Sequence, residues 1–321
     1  MNNNKDRSIS RCAPQKENGI PKNKKRCDYR AFLWILPAFL LLCVFNYIPP
    51  VLSAVTSFWK SNGVTMIKFV GFKNYADVLK DQLFLTSFKN VLIITVCTFI
   101  FSHAANLLLA ELLINLKWQR LSAIYRILFV IPIVVPGIVG LMIWQKLIFV
   151  PAETGLANII LSWFGLDPQG WYFSEKTVLL SIILTGFPWA GGTTMLIYIA
   201  SLQGISPEMI EATKLDGVGP FKRVIYFHIP MMMGQIKYFI ITSIIGGMQN
   251  FNLQLIVTGG GPGVDGASMV PGYQIYYYAF TKSDYGRANA LGIVLFVIIM
   301  VLTIINNVFI KNKNTEEVDA Q

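Results

Sequence analysis

Long stretches without a single Asp, Glu, Lys or Arg constrain this sequence more than any motif in it. Six of them are strongly apolar: Ala31–Trp59, Asn90–Ala110, Ile127–Gln145, Thr177–Pro207, Tyr238–Val264 and Ala288–Ile310. Roughly 20 mostly apolar residues carry an α-helix across the hydrocarbon core of a bilayer, so each stretch predicts one span. Two shorter gaps, Thr154–Leu166 and Gly266–Thr281, are interrupted by Gly or Pro and predict loops or interfacial segments. Composition excludes the alternatives. Only 14% of the 321 residues are charged, against about 25% in soluble domains, too few to solvate two globular surfaces. A hydrophobic content of 54% excludes a disordered chain, because disordered chains are poor in apolar residues. The expected fold class is an all-α polytopic membrane protein with six transmembrane helices over residues 31–310.

An even number of spans puts both termini on one side, and Lys and Arg say which. Nine lie in the tail up to Arg30, three in the second loop (Lys117, Arg120, Arg126), four in the fourth (Lys214, Lys222, Arg223, Lys237) and two at Lys311 and Lys313. That is 18 of the 27. The positive-inside rule therefore predicts cytoplasmic termini in a multi-pass cell-membrane protein. The net charge of +10 reads as orientation plus a basic tail facing anionic lipid, and not as nucleic-acid binding. Residues 1–30 are expected to be a disordered, basic cytoplasmic tail and 311–321 a short cytoplasmic one. The first span is too long for a cleaved signal peptide and is expected to be a retained anchor. Cys12, Cys27, Cys43 and Cys97 fall in the tail or in spans, so no disulfide framework is expected.

Catalytic patterns are absent. His103 and His228 are the only histidines; HExxH, the GxSxG elbow and the phosphate loop ending in Lys–Ser/Thr do not occur. Gly259-Gly260-Gly261-Pro262-Gly263 resembles a phosphate loop without its Lys and reads as a flexible turn after the fifth span. His103, inside the second span, is an intramembrane ionisable residue; it suits a neutral bond across a helix interface better than a substrate contact. Glu111, near the cytoplasmic end of that span, is expected at the interface or paired with Lys117. Tyr276-Tyr277-Tyr278 is expected to anchor the interface opposite the termini.

The loop between the fourth and fifth spans, 204–233, carries the most specific pattern. Ser206 suits an N-cap and Pro207 the first helical position. Glu208 sits in the first turn, where the helix dipole favours an anion. Gly217 is placed to end the helix in the left-handed conformation. Pro220 is expected to start a second short helix and Pro230 to stop it. Met209, Ala212 and Thr213 share a face at i, i+3, i+4 spacing. Two readings are open on these residues alone: a small-faced knob that enters a groove on a cytoplasmic partner, or an amphipathic connector lying on the membrane.

This loop resembles the signature of permease subunits of binding-protein-dependent ABC importers, in which Glu-Ala-Ala is followed after three residues by Gly and after nine more by Ile-x-Leu-Pro. Glu211-Ala212-Thr213 begins it here, Gly217 is in register and Phe227-His228-Ile229-Pro230 closes it; Thr213, Phe227 and Ile229 depart from the pattern by modest changes in size. From about Phe32 onward the chain is similar to the carbohydrate-uptake branch. The similar segments are Leu36-Pro37, Phe69-Val70-Gly71-Phe72-Lys73-Asn74-Tyr75, Ile131-Pro132 with Pro136, Gly155-Leu156-Ala157-Asn158, Asp216-Gly217 and Thr258 to Gly263. Within that branch it resembles the first of two paired permeases. The resemblance implies a type I ABC importer permease fold with a cytoplasmic coupling helix. Its implied partners are a second, homologous permease subunit, two cytoplasmic ATPase subunits and an extracytoplasmic solute-binding protein, and its implied cargo is a carbohydrate. It implies no catalysis and no cofactor in this chain. Its coupling residues map onto Glu211, Ala212, Gly217 and Pro230, flanked by Ser206, Pro207, Glu208, Thr213 and Asp216.

For the substrate path the residues offer Gln249, Asn250, Asn252 and Gln254 in the fifth span. Asn250 and Gln254 lie one turn apart on a continuous helix, with Asn252 off that face. Uncharged amides suit hydroxyl-rich ligands, and they equally suit hydrogen bonds between helices. A secondary, ion-coupled transporter of a small polar solute is the alternative class; the spans show no coupling-ion carboxylates at mid-depth to support it.

Overall fold

The computed structural model describes residues 29–309. Tyr29 and Arg30 begin a helix instead of closing the expected tail; the rest of that tail, Cys12 and Cys27, and the tail 311–321 lie outside the described residues. The chain divides into two compact units, Met1–Pro49 and Pro50–Gln321.

The first unit holds α1 (Tyr29–Leu42), a π-helical turn, Cys43–Tyr47, and the first two residues of α2 (Ile48–Thr56). Pro49 and Pro50 offer no N–H at the start of α2, and the Ile48 N–H reaches back five residues to the Cys43 carbonyl. Leu33, Trp34, Phe39, Leu41 and Phe45 are all exposed. A helix apolar on every side suits hydrocarbon and not water.

In the second unit the remainder of α2 is followed by an antiparallel hairpin, β1 (Trp59–Ser61) and β2 (Met66–Phe69), in register Trp59↔Phe69. This small sheet is a departure from the expected all-α chain. It is followed by α3 (Lys73–Lys80) and α4 (Gln82–Ile114). Asn74 is 6% exposed and donates to the Ser57 and Trp59 carbonyls at 2.7 and 3.0 Å, tying the hairpin to α3. Then come α5 (Gln119–Val130), α6 (Gly137–Ile143), α7 (Leu156–Trp163), α8 (Val178–Leu184) and α9 (Gly192–Gln203). The loop region holds α10 (Pro207–Leu215), α11 (Pro220–Arg223) and α12 (Ile229–Met231). The chain ends with α13 (Met233–Gln249), α14 (Asn252–Thr258), α15 (Pro271–Tyr276) and α16 (Tyr285–Phe309).

Among the described residues four ranges are long and apolar enough to cross a membrane: Leu33–Thr56, Gln82–Ile114, Met233–Thr258 and Tyr285–Val308. A fifth is counted if a pair bent by 90°, Gln119–Val134 with Gly137–Ile148, forms one span. Pro132 and Pro136 account for the bend, since neither can donate to the turn before it. The fourth apolar stretch of the sequence is not one long helix. Residues 185–191 break it into α8 and α9, and Asn106 of α4 fills the break. Its side-chain amide donates to the Trp189 carbonyl at 2.9 Å and its carbonyl accepts from the Gly191 N–H at 2.8 Å. Gly191 has φ +117, and a Cβ there would stand 2.5 Å from the Phe129 carbonyl oxygen.

The 33-residue α4 is the hub of this unit. Towards its C-terminal end Ala110 and Leu113 pack with Met195, Tyr198, Ile199 and Leu202 of α9 and Phe239 of α13. Nearer its start Val91 packs with Met248, Met269, Tyr273 and Leu295. His103 Nδ1 lies 3.1 Å from the Tyr198 hydroxyl, the bond across a helix interface expected of it. A third core, Phe149, Trp171, Tyr172 and Val178, is organised by Asn158, which is 2% exposed. Asn158 accepts from the Trp171 indole at 2.8 Å and the Gln169 N–H at 2.9 Å.

Two expectations about loops change. The glycine turn is fastened, not free: the Tyr273 hydroxyl donates to the Gly261 carbonyl at 2.7 Å, and Thr281 Oγ1 to the Gly260 carbonyl at 3.1 Å. Tyr277 and Tyr278 are 9% and 6% exposed, so they do not anchor an interface. They pack with Val78, Phe84 and Leu291, and the Tyr278 hydroxyl donates to Asp81. Burial pushes the Tyr278 phenol up to about 12, so it stays a donor.

Candidate functional site

Two features stand where the sequence placed function: the α10–α12 loop and a cavity beside the broken fifth span. Ser206 precedes α10 in extended conformation and Pro207 is its first residue, with Glu208 in the first turn. The Ser206 hydroxyl makes no capping bond; only its carbonyl joins the helix, accepting from the Ile210 N–H at 3.3 Å. At the other end Gly217 has φ +70. The Val218 N–H bonds the Thr213 carbonyl and the Gly217 N–H the Lys214 carbonyl, both at 3.1 Å. This pair of bonds is the Schellman closure that a left-handed C′ residue permits.

The proposed knob face divides. Thr213 is 4% exposed and turns inward, its hydroxyl donating to the Ile210 carbonyl at 2.7 Å. Ile210 packs against the core shared by α4, α9 and α13. Glu208, Glu211, Ala212 and Asp216 remain exposed, as do Leu215 and, beyond the turn, Phe221. Of the three residues on that face Met209 and Ala212 stay accessible and Thr213 alone is buried; the exposed surface extends from them onto the acidic and Leu215 side.

Pro230 does not stop the second helix. The chain passes from α11 through a π-helical turn, Val224–His228, into α12, which contains Pro230. In a π turn the Ile229 N–H bonds the Val224 carbonyl five residues back, so the wider turn tolerates a residue without an N–H just after it. The helix gives way only at Met232 (φ −96, ψ 16). Glu111 also departs from expectation. It pairs not with Lys117 but with His228, whose Nδ1–H donates to Oε1 at 2.5 Å. The two are 117 positions apart, and nothing in the sequence signalled their meeting.

The fifth span is interrupted at Asn250 (φ −73, ψ 130) and Phe251. Asn250 Oδ1 accepts from the Asn252 N–H at 3.1 Å, a local side-chain turn that competes with the helix ladder. The argument from one continuous helix face therefore fails, yet the break still gathers the amides. Asn250, Asn252 and Gln254 line a cavity of about 740 Å3 with Thr95 and Thr98 of α4 and Thr185. Gln249 does not line it. Gln254 is 5% exposed. Among the described residues, none of the four side-chain amides bonds another helix. Gly247 brings α13 against α4: a Cβ there would stand 2.4 Å from Thr95 Oγ1. Thr95, Thr98 and Thr185 were missed in the sequence because hydroxyls in apolar spans carry no distinguishing pattern.

Known proteins resemble this arrangement along most of its length. A model of the family described as "Binding-protein-dependent transport system inner membrane component" matches residues 104–314. The probable ABC transporter permease protein YurN of Bacillus subtilis (strain 168) is 30% identical over 288 residues, covering 89% of this chain and 97% of that one. The arabinooligosaccharides transport system permease protein AraP of the same organism is 31% identical over 286 residues, 88% of each chain. Among solved structures, a bacterial ABC transporter involved in the import of the acidic polysaccharide alginate superposes with a TM-score of 0.74 at 19% identity. That match covers 87% of this chain and 94% of its counterpart; at this identity the shared feature is the fold.

Proposed function

This chain belongs to the family of binding-protein-dependent transport system inner membrane components, and from that premise we propose that it is the sugar-translocating permease subunit of an ATP-driven importer. The observation that carries the proposal is the α10–α12 element. Its sequence carries Glu211-Ala212, Gly217 and Pro230 at the spacing of the resemblance's loop pattern, and it presents Glu208, Glu211, Ala212 and Leu215 outward while Ile210 packs against the bundle. Such an element is a two-state part that an attached ATPase can bias. Six spans are proposed, α1–α2, α4, the bent α5–α6 pair, the broken α8–α9 pair, α13–α14 and α16, with α10 as coupling helix and both termini cytoplasmic. The chain is paired with a second permease, two ATPase subunits that carry all the catalysis, and an extracytoplasmic solute-binding protein.

The cargo proposed is a sugar or oligosaccharide. Hydroxyls and amides at Thr95, Thr98, Thr185, Asn250, Asn252 and Gln254 line the cavity, and such uncharged donors and acceptors match a hydroxyl-rich solute. Relatives named for arabinooligosaccharide and maltose/maltodextrin transport point the same way. The test is purification of the membrane complex. ATPase subunits should co-purify, with ATP hydrolysis stimulated by the loaded solute-binding protein. Glu211→Lys and Gly217→Pro should abolish uptake while the binding protein keeps its affinity for sugar; normal uptake in both variants would remove the coupling assignment.

A further inference from the structure

We propose that Glu111 and His228 form a positioning strut through which movement of the α10–α12 element is delivered to the cavity wall. The inference rests on the importer reading above and deepens it. Glu111 lies one turn before the end of α4, and His228 closes the π-helical turn between α11 and α12. Their bond is 2.5 Å, with the side chains 12% and 10% exposed. The second carboxylate oxygen of Glu111 faces the Asn115 amide at 3.4 Å. Among the described residues this is the one side-chain hydrogen bond between α4 and the segment 205–232. Ala110 and Leu113 of α4 otherwise share an apolar core with Ile205 and Met232. Apolar surfaces tolerate sliding, whereas a directional bond between buried partners holds one register.

The same α4 carries Thr95 and Thr98 on the cavity wall. Thr98 and Glu111 are 13 residues apart on one unbroken helix, about 20 Å at 1.5 Å per residue. A displacement taken up at Glu111 therefore reaches the cavity without passing through a loop. A buried pair of this kind is a weak contributor to stability, and an apolar pair of similar volume often serves stability equally well. A structural role and a coupling role thus predict different outcomes for the same variant.

The test uses the assembled complex in lipid vesicles, reading ATP hydrolysed per sugar transported alongside the thermal midpoint. In Glu111→Leu/His228→Leu the midpoint should hold while the ratio rises about tenfold, within the range of allosteric couplings. The exchange Glu111→His/His228→Glu should return the ratio to the wild-type value. A wild-type ratio in the Leu pair, or a lowered midpoint with the ratio unchanged, would overturn the strut. Were the Leu pair not to assemble, Glu111→Ala read by the same ratio carries the same two outcomes. A wild-type complex whose ATPase ignores the loaded binding protein would overturn the importer reading itself, and the strut with it.

Discussion

At the scale of single residues, backbone geometry decides which positions tolerate change. Gly217 holds φ +70 with open space around its Cβ position, so Gly217→Ala meets only conformational strain, ~1 kcal/mol. Uptake should fall modestly in that variant and vanish in Gly217→Pro, which also loses the N–H bonded to Lys214; radiolabelled sugar uptake compares the two. Asn106 is a different case. It is 2% exposed and serves the Trp189 carbonyl and the Gly191 N–H where the helix ladder is missing. Asn106→Ala strands the Gly191 N–H and leaves the Trp189 carbonyl only the Ser102 hydroxyl at 3.3 Å, a loss of ~1–3 kcal/mol for a buried group left without a partner. The thermal midpoint of the detergent-solubilised protein should drop, and should drop further in Asn106→Leu, which adds bulk to the same site. The role of Gly217 was legible in the sequence because a helix end announces itself through local residue types. That of Asn106 was not, because its partners lie 83 and 85 positions away.

At the scale of elements, the breaks matter more than the helices. Three of the six apolar stretches contain interruptions, at residues 131–136, 185–191 and 250–251, and the last two bring Thr185, Asn250 and Asn252 to one cavity. Irregular backbone at membrane depth is tolerated only where protein or a water-lined cavity satisfies it, so a break beside polar side chains is itself a pointer to a pathway. The close approach of α13 to α4 at Gly247 tests this packing. Gly247→Ala should destabilise by ~1–3 kcal/mol through overpacking against Thr95. Thr95→Ala in the same chain should recover part of that loss, read as a thermal-midpoint cycle of the four proteins. Asn250→Ala and Gln254→Ala should alter uptake or substrate preference with little change in the midpoint; unaltered uptake and preference in both would remove these amides from the pathway.

At the scale of the whole molecule, the distribution of basic residues predicts an orientation that labelling can read. On a background with all four cysteines replaced, a membrane-impermeant maleimide should label Glu153→Cys and Thr281→Cys in intact cells. Lys214→Cys should react only after permeabilisation. All three positions are exposed, so reactivity reports sidedness and not burial. Labelling of Lys214→Cys in intact cells would invert the topology and place α10 on the wrong side for an ATPase.

Hydropathy, charge placement and the Gly/Pro punctuation of the 204–233 loop were enough to specify a helical membrane protein and the ends of α10, because each depends only on neighbours in sequence; the permease class came from the loop's resemblance to a known family. The tertiary structure alone decided which face of α10 is free, that Pro230 lies within a helix, and that Glu111 meets His228. It also decided that three separated threonines share a cavity with the amides of the fifth span. Those outcomes depend on contacts between residues tens to more than a hundred positions apart, and a hydroxyl, an amide or a carboxylate carries no mark of the distant group it will bond.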